Sequence, residues 1–147
     1  MNAPEGMEIP IELLRAAVER TLLGEGCDRA EVSLTLLDDP AIRAMNRDYL
    51  QRDRVTDVIA FQLDPEDGAV LGDVYVGWDQ ARRQAAEEGV SEMEELVRLA
   101  VHGTLHVLGW DHPEGPERTM SPQFARQEEL VRAVLVKTGE QTGEEAR

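Results

Sequence analysis

The stretch that most constrains this chain is His102-Gly103-Thr104-Leu105-His106-Val107-Leu108-Gly109-Trp110-Asp111-His112, because it holds all three of its histidines. Residues four apart on an α-helix project from one face a turn apart, so a helical segment would let His102 and His106 reach a single ion. The preceding run, 94–101, supports that expectation. Leu96, Leu99 and Ala100, with Leu108 further on, form an apolar stripe at helical period. Gly109 is expected to end the helix, since glycine adopts the left-handed conformation that turns a chain back. His112 can then close on the same ion from outside the helix. Three neutral imidazoles with a position left for water is the ligand count of a catalytic zinc, whereas structural zinc sites close with four ligands, usually rich in cysteine. This chain has only Cys27.

The histidine spacing equals that of the long zinc-protease signature H-E-x-x-H-x-x-G-x-x-H, but Gly103 stands where that signature has its general-base glutamate. Peptidase chemistry is thereby disfavoured. A bound cation can still bring the pKa of its water down to about 7 without a neighbouring carboxylate. Asp111 is a candidate for orienting a ligand imidazole or handling a proton, or else a plain turn residue. Imidazole must be neutral to bind metal, so metal should be lost on acidification.

The same stretch resembles the H-G-x-L-H-L-x-G-x-D-H signature of the YbeY family of bacterial ribosomal RNA maturation factors. Further segments agree in order: Met45-Asn46 with Tyr49, then Thr56-Asp57-Val58-Ile59-Ala60-Phe61 against T-D-V-L-S-F, then Leu71-Gly72-Asp73-Val74 against L-G-D-I. The resemblance covers residues 30 to 137 and implies a compact α/β domain, one zinc on His102, His106 and His112, and single-strand endoribonuclease activity. It also implies a role in processing small-subunit ribosomal RNA at its 3′ end and in ribosome quality control. Thr56 and Asp57 would then lie near the metal groove as contacts to substrate or to a ligand histidine. Their residue types alone fit a turn or cap equally. Two departures stand out. The family commonly has arginine after the tyrosine, where this chain has Leu50, so Arg52 or Arg54 would have to hold a phosphate. Near the C-terminus, Met120 and residues 124–129 resemble a family M-F-A-x-Q-E-E run interrupted by Ser121-Pro122-Gln123, which predicts an altered start to the last helix.

Elsewhere the pattern alternates helices and strands. Pro10 fits a first helical turn, followed by Ile11, Leu14, Val18 and Leu22 at helical spacing until Gly24-Glu25-Gly26. Residues 31–36 alternate polar and apolar as a half-buried strand does. Asp38-Asp39-Pro40 supplies a capping aspartate and a proline for a second helix. Segments 57–63 and 70–78 read as strands able to form a hairpin, and 79–88 reads as helix. Ser91 with Glu94 is a capping box for the histidine helix, and 124–136 is a closing amphipathic helix. Residues 1–8 are a loose start or a first strand. The expected architecture is one α/β domain of the α+β type over residues 1–138, with a mixed sheet of about four strands packed with several helices and a polar, disordered tail at 139–147.

Charge argues against a general affinity for nucleic acid, since the net charge is −15 and Lys137 is the single lysine. RNA binding would need local relief, from zinc and from arginines at 43, 47, 52, 54, 82 and 83. Any one of these could equally be a solvated surface charge. The acidity favours an alternative reading, a non-catalytic ribosome assembly factor stabilised by zinc and bound to basic ribosomal proteins. No apolar run approaches the roughly 20 residues of a membrane span, and residues 1–8 lack the basic flank of a signal peptide. A soluble cytoplasmic protein with no membrane partner is expected. In the nuclease reading Arg52, Arg54 and Asp111 are the catalytic candidates. Direct hydrolysis and attack by a 2′-hydroxyl both remain open.

Overall fold

Helices and strands follow one another as α1 (Ile11–Gly24), β1 (Ala30–Leu37), α2 (Asp39–Leu50), β2 (Val58–Glu66), β3 (Ala69–Gly77), α3 (Trp78–Glu88), α4 (Glu92–Val107) and α5 (Pro122–Thr138) in the computed structural model. It describes residues 10–66, 69–110 and 121–138. The sheet is mixed, in the order β1-β3-β2. β3 runs parallel to β1 and antiparallel to β2, so the hairpin allowed by the sequence forms. The described residues contain three strands where about four were expected. The segment considered for a first strand, and the tail at 139–147, fall outside the described residues. No helix among the described residues is long and apolar enough to cross a membrane.

Local chemistry explains most boundaries. The Asp38 side chain accepts from the Ala41 N–H and begins α2. The Ser91 hydroxyl accepts from the Glu94 N–H and begins α4, the serine half of the expected capping box, while the Glu94 carboxylate accepts from Arg98. Gly89 closes α3 at φ 73°, and Gly109 turns the chain after α4 at φ 100°. Two boundaries differ from expectation. Trp78, read as the end of a strand, starts α3 instead. Ser121 accepts from the Phe124 N–H, and Pro122 occupies the first position of α5, where its missing N–H costs nothing. The three residues that interrupt the family run therefore build the helix start themselves.

The core lies between one sheet face and the α1–α4–α5 layer. Leu34, Leu36, Val74 and Val76 of the sheet pack against Leu14, Ala17 and Val18 of α1, Val97, Val101 and Leu105 of α4, and Val131 and Val134 of α5. Helix α4 approaches the strands closely enough to need glycine on both sides. A Cβ added to Gly103 would lie 2.5 Å from Val74 Cγ1 and 3.2 Å from Val58 Cγ2, and one added to Gly72 would run into both methyls of Val107. Neither glycine has a positive φ. Both are required for contact distance, so Gly72 has a backbone reason. At position 103 the protease-type glutamate is excluded by packing, and Gly103→Glu would disrupt the core before it could probe any chemistry.

Val74 is fully buried and β-branched, so it cannot swing away from a new methyl without strain. Gly103→Ala should lower stability by about 1–3 kcal/mol despite alanine's better helix propensity. Urea unfolding checks this; a variant as stable as the parent would mean that α4 is free to lift off the sheet.

Candidate active-site cavity

A cavity of about 550 Å³ opens where α4 faces the connector after α2, the start of β2 and the first turns of α5. His102 and His106 of α4, Arg52 and Arg54 of the connector, and Thr56 and Asp57 ahead of β2 all line it. Six of the residues singled out in the sequence thus come together. Asp111 and His112 lie outside the described residues. Leu50, at the place of the family's arginine, also lines the cavity.

The connector is held in a defined shape. Gln51 adopts a left-handed conformation at φ 58°, and the Gln51 and Arg52 N–H groups bond back to the carbonyls of Arg47 and Asn46. The Gln51 bond is the one that closes a helix on a left-handed residue. Asn46 is 2 % exposed, and its Nδ2 donates to the Arg54 carbonyl at 3.0 Å. The other arginines of the two sequence clusters are engaged: Arg43 with Asp53, Arg47 with Asp48, Arg82 with Asp79, and Arg83 with Asp39. Arg52 and Arg54 are exposed and form no ion pair among the described residues. They are positioned by the backbone rather than by carboxylates.

The histidine pair has a support that sequence reasoning missed. The rings of His102 and His106 lie 6.3 Å apart by centroid, tilted by 52°. Tetrahedral coordination with each ring nitrogen about 2 Å from one ion needs the centroids roughly 5 Å apart, so the two rings would turn toward each other on binding. His102 Nδ1 is 2.7 Å from Gln127 Oε1, and Gln127 Nε2 donates to Glu128 Oε2 at 3.1 Å. Because the amide gives its N–H to Glu128, its oxygen must accept from His102 Nδ1–H. That tautomer leaves the lone pair on Nε2, the arrangement seen when an outer partner orients a ligand histidine. The donor chemistry therefore fits a zinc-type ion. Among the described residues no group of three His, Cys, Asp or Glu side chains forms a metal cage, and the expected third ligand, His112, is not among them.

The hydrogen-bond chain continues into an ionic cluster. Arg98 donates to Glu128 at 2.8 and 2.9 Å, to Glu95 at 3.1 Å and to Glu94 at 2.9 Å, and Gln84 donates to Glu95 at 2.9 Å. Burial pushes the Glu95 carboxyl above its ordinary range despite the Gln84 and Arg98 bonds. Burial acts on Glu128 in the same direction, but Arg98 and Gln127 outweigh it and hold that carboxyl low. Arg98 is held above its usual value, chiefly by Glu128. Glu95, Arg98 and His102 occur at i, i+3 and i+7, one helical face, and that spacing is the signal that could have drawn attention to the cluster. Gln127 lies 25 residues from His102, and no local pattern marks it.

These features define a single-domain α+β protein whose cavity combines a helix-borne histidine pair with two arginines that form no ion pair among the described residues. The family model described as Endoribonuclease YbeY matches residues 6–134. The chain is 39 % identical over 134 residues to the Endoribonuclease YbeY of Syntrophotalea carbinolica, covering 88 % of this chain and 89 % of that one. It is 45 % identical over 139 residues to that of Geobacillus thermodenitrificans, covering 86 % and 85 %. A Thermotoga maritima protein solved in solution superposes with a TM-score of 0.63 at 27 % identity, covering 92 % of this chain and 89 % of that one. The chain belongs to the YbeY family.

Arg98→Ala would leave three clustered carboxylates, one of them buried, without their shared cation. The expected cost at pH 7 is about 3 kcal/mol. Glu128, held low, contributes stability that is present above the ordinary carboxylate range and lost as pH falls through its folded pKa; Glu95, raised, works in the opposite sense. Without Arg98, which lowers both, Glu95 and Glu128 titrate higher, so acid relieves the repulsion. Chemical unfolding of parent and variant should show a deficit at pH 7 that shrinks toward pH 4.5; a deficit that widened there would contradict the cluster's role.

Proposed function

We propose that this chain is a metal-dependent endoribonuclease that cleaves single-stranded RNA during ribosomal RNA processing, at the 3′ end of the small-subunit RNA, and in ribosome quality control. The relatives' names supply the activity. The observation that carries the reading to this chain is that Arg52 and Arg54 have no carboxylate partner among the described residues yet line the same cavity as His102 and His106. In a protein of net charge −15, leaving two cations unpaired beside an imidazole pair favours an anionic occupant.

His102, His106 and His112 would hold one zinc. Such an ion, when bound, polarises a phosphate oxygen and lowers the pKa of its water. Arg52 and Arg54 grip the phosphate in the forked geometry that guanidinium groups offer. Gln127 keeps the His102 ring in the ligand tautomer. Thr56 and Asp57 meet substrate from the β2 side of the groove, and Asp111 orients a ligand imidazole or takes a proton. The acidic exterior restricts RNA contact to this groove and leaves room for basic ribosomal proteins or assembly factors as partners. The cytoplasm is the corresponding location. The same acidity favours a second reading, an assembly factor with no catalytic role.

Steady-state cleavage of single-stranded oligoribonucleotides tests the proposal. The wild-type chain should cleave, and removal of metal by a chelator should abolish cleavage reversibly. A double variant, Arg52→Ala with Arg54→Ala, should fold normally and lose about 10²-fold in rate, the scale of losing a preorganised charge donor. Product ends separate the two routes, with a 2′,3′-cyclic phosphate marking 2′-hydroxyl attack. A wild-type chain that binds ribosomal particles but cleaves no RNA would favour the assembly factor.

A further inference from the structure

Gln123 lines the cavity at the start of α5, is 1 % exposed, and among the described residues has no hydrogen-bond partner for either Nε2 or Oε1. It is one of the three residues by which this chain departs from the family run, and the Ser121 cap with Pro122 fixes its place in the first helical turn. A buried amide with both polar atoms unpaired destabilises the protein that contains it, whereas an apolar side chain of the same size would be neutral or stabilising. No described residue supplies the amide's partner, and the cavity it lines is where one from outside the chain can enter.

The chemistry of that partner is restricted. A side-chain amide presents a donor beside an acceptor. A phosphate offers acceptors only and would leave Oε1 unpaired; a cation would engage Oε1 and leave the N–H group unpaired. A nucleobase edge with an adjacent donor and acceptor satisfies both, as adenine does for glutamine through N6 and N7. Phe124, next in sequence, also lines the cavity and supplies an aromatic face. Stacking on an aromatic ring with hydrogen bonds to the base edge is how splayed, single-stranded RNA bases are recognised.

We propose that Gln123 and Phe124 form a nucleobase subsite in this cavity, with Gln123 bonding a base edge that has a donor beside an acceptor and Phe124 stacking on the ring. The inference rests on the single-stranded RNA reading above and adds to it the group that reads the base. Arg52 and Arg54 hold the backbone, which carries no sequence information, while Gln123 discriminates. Base entry requires the amide, closed to solvent in the unliganded chain, to turn about its own torsions toward the cavity. The guanine N7 and O6 edge presents two acceptors and does not match this amide, so guanine would have to offer its N1–H and O6 instead.

Thermal unfolding and steady-state cleavage of Gln123→Leu test this, using oligoribonucleotides that differ only at the base beside the cut; Gln123→Met serves as a second variant should leucine fold poorly. The melting temperature should stay unchanged or rise, while KM rises about tenfold for the preferred base and the preference flattens, with kcat little altered. Phe124→Leu should raise KM for all bases alike. A variant that melts several degrees lower, or one that keeps the wild-type KM and base preference, would overturn the subsite and leave the nuclease reading standing. Absence of cleavage by the wild-type chain would overturn both.

Discussion

The structure depends on how closely α4 lies against the sheet. That approach is possible because Gly103 on the helix and Gly72 on β3 carry no side chain where Val74, Val58 and Val107 need room. The close contact fixes the rotation of the helix about its axis, and so fixes which residues face elsewhere. With one face of α4 locked on the strands, Glu95, Arg98, His102 and His106 are left to line the cavity. The same glycine that removes the peptidase base is thus what holds the histidines in place.

A second layer of positioning comes from α5. One hydrogen-bonded chain runs from Gln84 through Glu95, Arg98, Glu128 and Gln127 to His102. Each member has its donor or acceptor role set by the next, so the His102 tautomer is determined by a guanidinium three residues along that chain. Glu25 makes a comparable clamp on the neighbouring residue of α5, accepting from Arg126 Nε at 2.6 Å and from Trp110 Nε1 at 2.9 Å. It ties the end of α1 to the residue that follows the Gly109 turn. The cavity walls are therefore cross-linked by polar contacts among three helices, in which each charged group has partners.

Much of this was legible in the sequence because it depends on neighbours. The i, i+4 histidine pair, the Gly109 turn, the Asp38 and Ser91 caps and the β2–β3 hairpin all follow from short-range rules. What could not be read depends on distant packing. Gln127 is an ordinary polar residue on an amphipathic helix until α5 docks beside α4. Arg52 and Arg54 look like Arg43 and Arg47 in the sequence, and only the folded chain shows that carboxylates engage the second pair and not the first. Against the family run, Ser121-Pro122-Gln123 reads as a disturbance of the start of α5, yet serine as a cap and proline at the first position are what a helix start favours. There the departure from the family run obscured a local signal that was present.

The large negative charge constrains the chemistry most sharply. A chain this acidic can hold an RNA phosphate only where its own cations are left unpaired or where a metal ion supplies charge. The account therefore stands on the metal. The most direct measurement is zinc content by mass spectrometry on protein purified without a metal-affinity tag, comparing wild type with His106→Ala. The account predicts close to one zinc per wild-type chain and a large loss in the variant. A wild-type chain without metal, or equal metal in both proteins, would contradict it.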